Sequence, residues 1–207
     1  MDNLPNDIIN KIKDNIIFKP KTKQELKKAV DEYTSCSFHH KAENYYGHIS
    51  NWDTSLITDM SYLFDEKEFF NKDISKWDVS SVTNMRYIFS GAYSFNQNLN
   101  SWDVSSVTDM SGMFISAKSY NQPLDSWDVS SVTNTVCMFK KASSFNQPLS
   151  SWDVSSVVSM NYMFEKATSF NQPIESWDSS WDVSSVNNIV DWKTYLWNMV
   201  KKIFSFL

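Results

Sequence analysis

The apolar positions of this chain change period within one short stretch and then do so again. From Leu149 they fall at Trp152, Val154, Val157, Met160, Met163, Phe164, Ala167 and Phe170, and the pattern restarts at Ile174. Trp152 and Val154 stand two apart with the polar Asp153 between them, the period of a strand whose side chains alternate between faces. Val157, Met160 and Phe164 stand three and four apart, the period of a helix. The pattern predicts a short strand followed by a short helix, neither able to bury its apolar side alone.

The same phrase recurs along most of the chain. Trp52, Trp77, Trp102, Trp127, Trp152 and Trp177 are spaced 25 residues apart. The units are near-copies: WDVSSVTDMSGMFISAKSYNQPLDS runs from Trp102 and WDVSSVTNTVCMFKKASSFNQPLSS from Trp127. Such a period is the signature of stacked units, in which each coil shields the apolar face of its neighbour. Stacking strand on strand and helix on helix predicts a parallel sheet along one face and short helices along the other. The inward columns are then Trp52, Trp77, Trp102, Trp127 and Trp152 on the strands, and Phe64, Phe89, Phe114, Phe139 and Phe164 on the helices. Asn71, Asn96, Asn121, Asn146 and Asn171 form a further column, whose amides are placed to satisfy backbone groups where the chain turns back. A sixth unit carries a four-residue duplication at Trp177–Ser180, ahead of Trp181, so a distorted coil is expected to end the array.

Composition adds that this is a folded chain. It has 207 residues, 42% apolar and 15% aromatic, with three glycines and five prolines. Charge adds that nucleic acid is an unfavourable partner. The net charge is −5, and residues 52–188 hold eight basic against sixteen acidic side chains, where phosphate binding needs clustered Lys and Arg. Cys36 and Cys137 do not make a disulfide framework. Cys137 stands where other units have Tyr62, Tyr87 or Tyr162, and reads as a packing residue in a reducing compartment. MDNLPNDIINKIKDN lacks the apolar run and cleavage site of a signal peptide, so an intracellular location, in a host cell's cytoplasm or a virion, is expected.

The spacing Leu-x-x-Trp-x-Val-x-x-Val-x-x-Met-x-x-Met-Phe, from Ile49 to about Val186, resembles the BspA-like leucine-rich-repeat family. The resemblance is to its tryptophan-containing variety, a domain of unknown function described from mycoplasma lipoproteins. The leader KPKTKQELKKAV, followed by YGHISNWDTSLITDMSYLF, is similar to versions in large DNA viruses and protists. The resemblance implies an α/β repeat: a leucine-rich-repeat-like right-handed solenoid with a parallel sheet on one face, short helices on the other and helical caps at both ends. It implies use in interaction and brings no catalytic motif or cofactor.

The ends of such a stack need covers. Thr22 followed by Glu25 fits a capping box opening a helix with Leu26, Ala29, Val30 and Tyr33. Residues 1–48 are therefore read as a helical N-terminal cap, 49–188 as about six repeats, and 189–207 as an amphipathic capping helix. Ile189, Trp192, Leu196, Met199, Ile203 and Leu207 share one face of that last segment. Its charges make it a poor membrane span, and contact with a membrane surface is the alternative to capping. LPNDIINKI, residues 4–12, resembles the opening of an F-box, which would make the chain a substrate adaptor.

Candidate chemistry is confined to few places. Asp53, Asp78, Asp103, Asp128, Asp153 and then Asp178 or Asp182 form an outward carboxylate row. Flanked by Ser105, Ser130 and Ser155, the central members make a candidate binding face for cations or a basic partner. The simpler reading is that each Asp accepts hydrogen bonds from its own turn. That row hardly varies, whereas Asp65-Glu66, Ser90-Gly91, Ile115-Ser116, Lys140-Lys141 and Glu165-Lys166 vary from unit to unit, as a surface that reads a particular protein should. Cys36, His39, His40 and His48 are too irregularly spaced for a zinc site, and no metal is expected. No histidine lies in the repeats to activate a serine, and no phosphate loop appears, so an enzyme is not expected. The expected function is a non-enzymatic protein-interaction module, with a structural component of a larger assembly such as a virion as the alternative, including self-association.

Overall fold

A computed structural model describes residues 17–35, 37, 39–174, 176 and 177. Residues 4–12, the C-terminal segment 189–207 and the duplicated coil from Asp178 lie outside the described residues, and with them the F-box reading and the C-terminal cap. Two helices come first: α1 (Lys23–Thr34) and α2 (His39–Tyr46), followed by a single 3-10 turn at Ile49–Asn51. The Thr22 hydroxyl accepts the Glu25 N–H, and the Glu25 carboxylate accepts the Lys21 N–H, so two donors at the start of α1 are satisfied. Leu26, Ala29, Val30 and Tyr33 make its buried face. Gly47, at φ 71°, donates its N–H to Glu43 O and ends α2 in the left-handed turn that glycine accepts without strain.

These helices cover the first coil. Phe18, Tyr33 and Tyr46 set their rings edge-on to Trp52 at 5.1, 5.7 and 5.8 Å. Trp52 in turn stacks on Trp77 at 6.0 Å. Lys23 binds Asp59, and Lys67 binds Asp31, tying α1 to the edge of the first coil.

From Trp52 the chain winds in 25-residue coils, and each side chain lies over its counterpart. The phenylalanines Phe64, Phe89, Phe114, Phe139 and Phe164 are spaced 5.4 to 5.6 Å apart in near-parallel stacks. A second aromatic column, Phe70, Phe95, Tyr120, Phe145 and Phe170, stands against it, with rings 3.9 to 4.1 Å from those of the first within each coil. All are buried, as are Trp52, Trp77, Trp102, Trp127, Trp152 and Trp177. At about 1.5–3 kcal/mol for each large side chain removed from water, these columns dominate the cohesion between coils.

The secondary structure inside the coils corrects the expectation from sequence. The described residues contain no strand and no sheet, and α1 and α2 are their only α-helices, so the structure does not support a leucine-rich-repeat-like solenoid with a parallel sheet on one face and helices on the other. The Trp-Asp-Val stretch does alternate in burial, but by turning. Trp102 N–H goes to Leu99 O, and Val107 N–H to Val104 O, both bonds within the coil. The stretch with helical spacing is likewise a chain of turns, with Ile88 N–H on Met85 O and Ala92 N–H on Phe89 O.

A helix fails there for two reasons. The N–H groups of Met85, Tyr87, Phe89 and Gly91 leave the coil for the carbonyls of Asp109, Ser111, Met113 and Ile115 in the next. In addition, two residues four apart in each coil are left-handed: Tyr62, Tyr87, Gly112, Cys137 and Tyr162 in one column, Glu66, Gly91, Ser116, Lys141 and Lys166 in another, with φ of 56° to 68°. Reversing handedness inside the turns breaks the i to i−4 ladder a helix requires, and every second N–H is aimed at the next coil while those between them, at Ile88 and Ser90, bond within their own. Only isolated parallel bridges arise, at Asp59, Asn84, Asp109, Asn134 and Ser159. Gly112 leaves room for the Tyr87 ring, which leans over it: a Cβ there would lie 2.6 Å from that ring and turn it aside.

Candidate interaction surfaces

Four sets of polar residues recur along the coils, and three of them serve the backbone. In the carboxylate row, Oδ1 of Asp53, Asp78, Asp103, Asp128 and Asp153 accepts the N–H of the serine two residues on, at 3.0 to 3.1 Å. The hydroxyls of Ser55, Ser80 and Ser105 add a second bond at 2.6 Å. These bonds hold the carboxyls of Asp103, Asp128 and Asp153 below the usual range, the serine hydroxyl first and its N–H second. Asp53 falls furthest, to about 2, because Lys19 binds its other oxygen at 2.8 Å and Ser55 adds to the effect. The row is exposed from Asp78 to Asp153, and each carboxylate closes its own turn.

A second such column is not evident from the spacing of the apolar residues. Asp59, Asn84, Asp109 and Asn134 each accept the N–H two residues on, at 2.8 to 3.1 Å, just where the coils form their bridges. The signal available in the sequence was the alternation of Asp and Asn in one slot, since these two residues share this turn and differ in charge.

The asparagine column is a ladder. The side-chain oxygens of Asn71, Asn96, Asn121 and Asn146 accept the N–H of Asn96, Asn121, Asn146 and Asn171, each at 2.9 Å. Gln97, Gln122, Gln147 and Gln172 donate to the same oxygens. The tryptophans are anchored similarly: Nε1 of Trp102, Trp127 and Trp152 donates to Ile74, Leu99 and Leu124 O of the preceding coil.

The fourth set is the edge formed by residues 65–68 and their counterparts. Its first column reads Glu66, Gly91, Ser116, Lys141, Lys166, held in register because the N–H groups of the four from Glu66 to Lys141 donate to the coil beyond at 2.7 to 2.8 Å. Its second column reads Glu68, Tyr93, Lys118, Ser143, Thr168, joined by Ser94 N–H on Glu68 O, Ser119 N–H on Tyr93 O and Ser144 N–H on Lys118 O. Glu66, Glu68, Lys118, Lys141 and Lys166 are exposed. Lys140 instead turns to Glu165 at 2.5 Å, which raises the lysine and lowers the glutamate from their ordinary values. Lys118 lies 4.2 Å from the centre of the Tyr93 ring.

Burial pushes the Cys137 thiol up, away from the reactive thiolate. Cys36 and the His39 side chain fall outside the described residues, and His48 Nδ1 faces Ser50 at 2.7 Å. Among the described residues no group of three His, Cys, Asp or Glu is placed to hold a metal, and no helix is long and apolar enough to cross a membrane.

The family model described as "Mycoplasma protein of unknown function, DUF285" matches residues 33–138 and 122–191, most of the chain. The chain belongs to the DUF285 family. This is the BspA-like, mycoplasma-lipoprotein type of repeat that the sequence resembles. No curated protein and no solved structure matches it. The DUF285 match takes in every described coil through Trp177, so the turns, ladders and edge all lie on the family's own repeat.

Proposed function

We propose that this DUF285 chain is a non-enzymatic protein-interaction module whose recognition surface is the edge running from Glu66 and Glu68 to Lys141 and Lys166. One observation carries the reading. The carboxylate row and the asparagine ladder spend their hydrogen bonds on their own backbone and repeat from coil to coil, whereas the edge exposes Glu66, Glu68, Lys118, Lys141 and Lys166 and changes its pair of residues from coil to coil. Partner choice needs such variation, because complementary charge steers encounter and rejects wrong partners. The absence of histidine from the repeats argues in the same direction against acid–base catalysis.

The test compares two folded variants in pull-downs from the native lysate. Lys141→Glu with Lys166→Glu is expected to lose the bound protein. Asp103→Asn, Asp128→Asn and Asp153→Asn together, which keep the accepting oxygens, are expected to retain it. The opposite result would move recognition to the carboxylate row.

A further inference from the structure

The edge is complementary to itself when reversed. Its first column reads acidic, small, small, basic over the first four coils: Glu66, Gly91, Ser116, Lys141. Read backwards, the same column sets Lys141 against Glu66 and Ser116 against Gly91. The second column, Glu68, Tyr93, Lys118, Ser143, reverses to set Ser143 against Glu68 and Lys118 against Tyr93. Lys118 is already drawn to a tyrosine face in its own chain, so the cross-pair repeats a contact this side chain makes. With coils about 4.8 Å apart, Glu66 and Lys141 lie about 14 Å apart along the edge.

Two features make this edge suited to a close approach. Gly91 and Ser116 at its centre leave it low, and the Glu66 carboxylate lies over Gly91, within 2.9 Å of where a Cβ there would stand, so its charge is carried toward the centre. The peptide units under the edge are also paired within the stack: Glu66, Gly91, Ser116 and Lys141 donate toward its C-terminal end, and Ser94, Ser119 and Ser144 donate back toward its N-terminal end. The dipoles of the two sets oppose one another, so the polarity of the edge is carried by its side chains, Glu66 and Glu68 at one end and Lys141 at the other. Two such polar edges attract when antiparallel and repel when parallel.

We infer that the partner of this edge is a second copy of the same chain, packed antiparallel about a two-fold axis between the second and third coils, with Glu66 of each copy facing the second copy's Lys141. The symmetry is that of an isologous dimer, in which one patch serves both sides. This inference rests on the edge being the recognition surface, and the test separates the two.

The experiment is sedimentation velocity of the full chain from 1 to 200 µM at about 50 mM and about 500 mM salt, with circular dichroism to show that each variant is folded. The wild type is expected to dimerise at low salt and weaken by about tenfold or more at high salt, where charges a few ångströms apart are screened. E66K alone and K141E alone are each expected to be monomeric, because both set like charges across the two-fold. E66K/K141E in one chain is expected to recover the dimer, and an equimolar mixture of the two single variants to form a heterodimer. A wild type that stays monomeric at low salt, or a dimer indifferent to both reversals, overturns the inference. If the chain is monomeric and Lys141→Glu with Lys166→Glu still abolishes capture of another protein, the edge reading stands and only the second copy falls; if capture is also unaffected, both fall.

Discussion

One residue in the core is chemically out of place. Tyr120 occupies a column otherwise made of Phe70, Phe95, Phe145 and Phe170, is fully buried, and its hydroxyl has no hydrogen-bond partner. Burial alone pushes its ionisation well above the ordinary range, so it stays a neutral phenol. A buried donor without a partner costs about 1–3 kcal/mol, and the ring stacks identically without it. Tyr120→Phe is therefore expected to stabilise the chain by about 1–3 kcal/mol, read as a higher urea midpoint with an unchanged slope. A lower midpoint would mean that the hydroxyl is satisfied by a bound water. The neighbouring stacks at 5.8 and 6.2 Å leave the ring itself in place in either case.

At the scale of elements, the asparagine ladder joins coils that have no sheet to join them. Asn121 accepts the Asn146 N–H at 2.9 Å and Gln147 Nε2 at 3.0 Å. Asn121→Ala strands that N–H and is expected to cost about 1–3 kcal/mol, with faster hydrogen exchange at the Asn146 amide. Asn121→Asp keeps an accepting oxygen and is expected to protect the same amide; equal exchange in both variants would show the bond to be dispensable. The ladder, the 25-residue period and the recurring apolar slots were all legible in the sequence. The elements between them were not. A run of turns that buries every second residue and then every third or fourth produces the same apolar spacing as a strand followed by a helix. What separates the two is the direction of each N–H, and that depends on the left-handed positions. Eight of these in the coils are not glycine: tyrosines, lysines, Glu66, Ser116 and Cys137, so no residue type announced them. For the candidate surfaces, the variation along Glu66 to Lys166 was visible in the residues themselves. The self-complementarity of that edge was not, because it requires knowing that slots 66 and 68 both face outward.

Across the whole molecule, the carboxylates that close the turns make the stack sensitive to acid. Asp53 has a folded value of about 2 against an ordinary 3.8, through Lys19 first and Ser55 second. Asp103, Asp128 and Asp153 are also lowered, each by its serine. A group lowered on folding contributes stability that is fully present above its unfolded value and is lost as pH falls through its folded value. The contribution is thus complete above about pH 5, declines from about pH 4 and is gone below about pH 2. Because Asp103, Asp128 and Asp153 stand in successive coils, protonation weakens those coils over the same window, and a stack in which each coil is stabilised by its neighbours transmits that loss along its length. Thermal melts between pH 6 and pH 2 are expected to show a flat Tm down to about pH 5 and a steepening fall below it. With Asp103→Asn, Asp128→Asn and Asp153→Asn together, the accepting oxygens remain but can no longer be protonated, so the fall should be shallower than in the wild type. An identical acid profile would place the sensitivity elsewhere, on the paired groups that hold α1 to the first coil, Asp31 with Lys67 and Asp59 with Lys23. Asp31 is lowered although its burial opposes this, because Lys27 and Lys67 bind its carboxylate, and Asp59 is lowered against the same opposition by Ser61 and Lys23. Their loss would uncover Trp52 at the N-terminal end before the coils separate, an order that Trp52→Phe would report as a missing early change in tryptophan fluorescence.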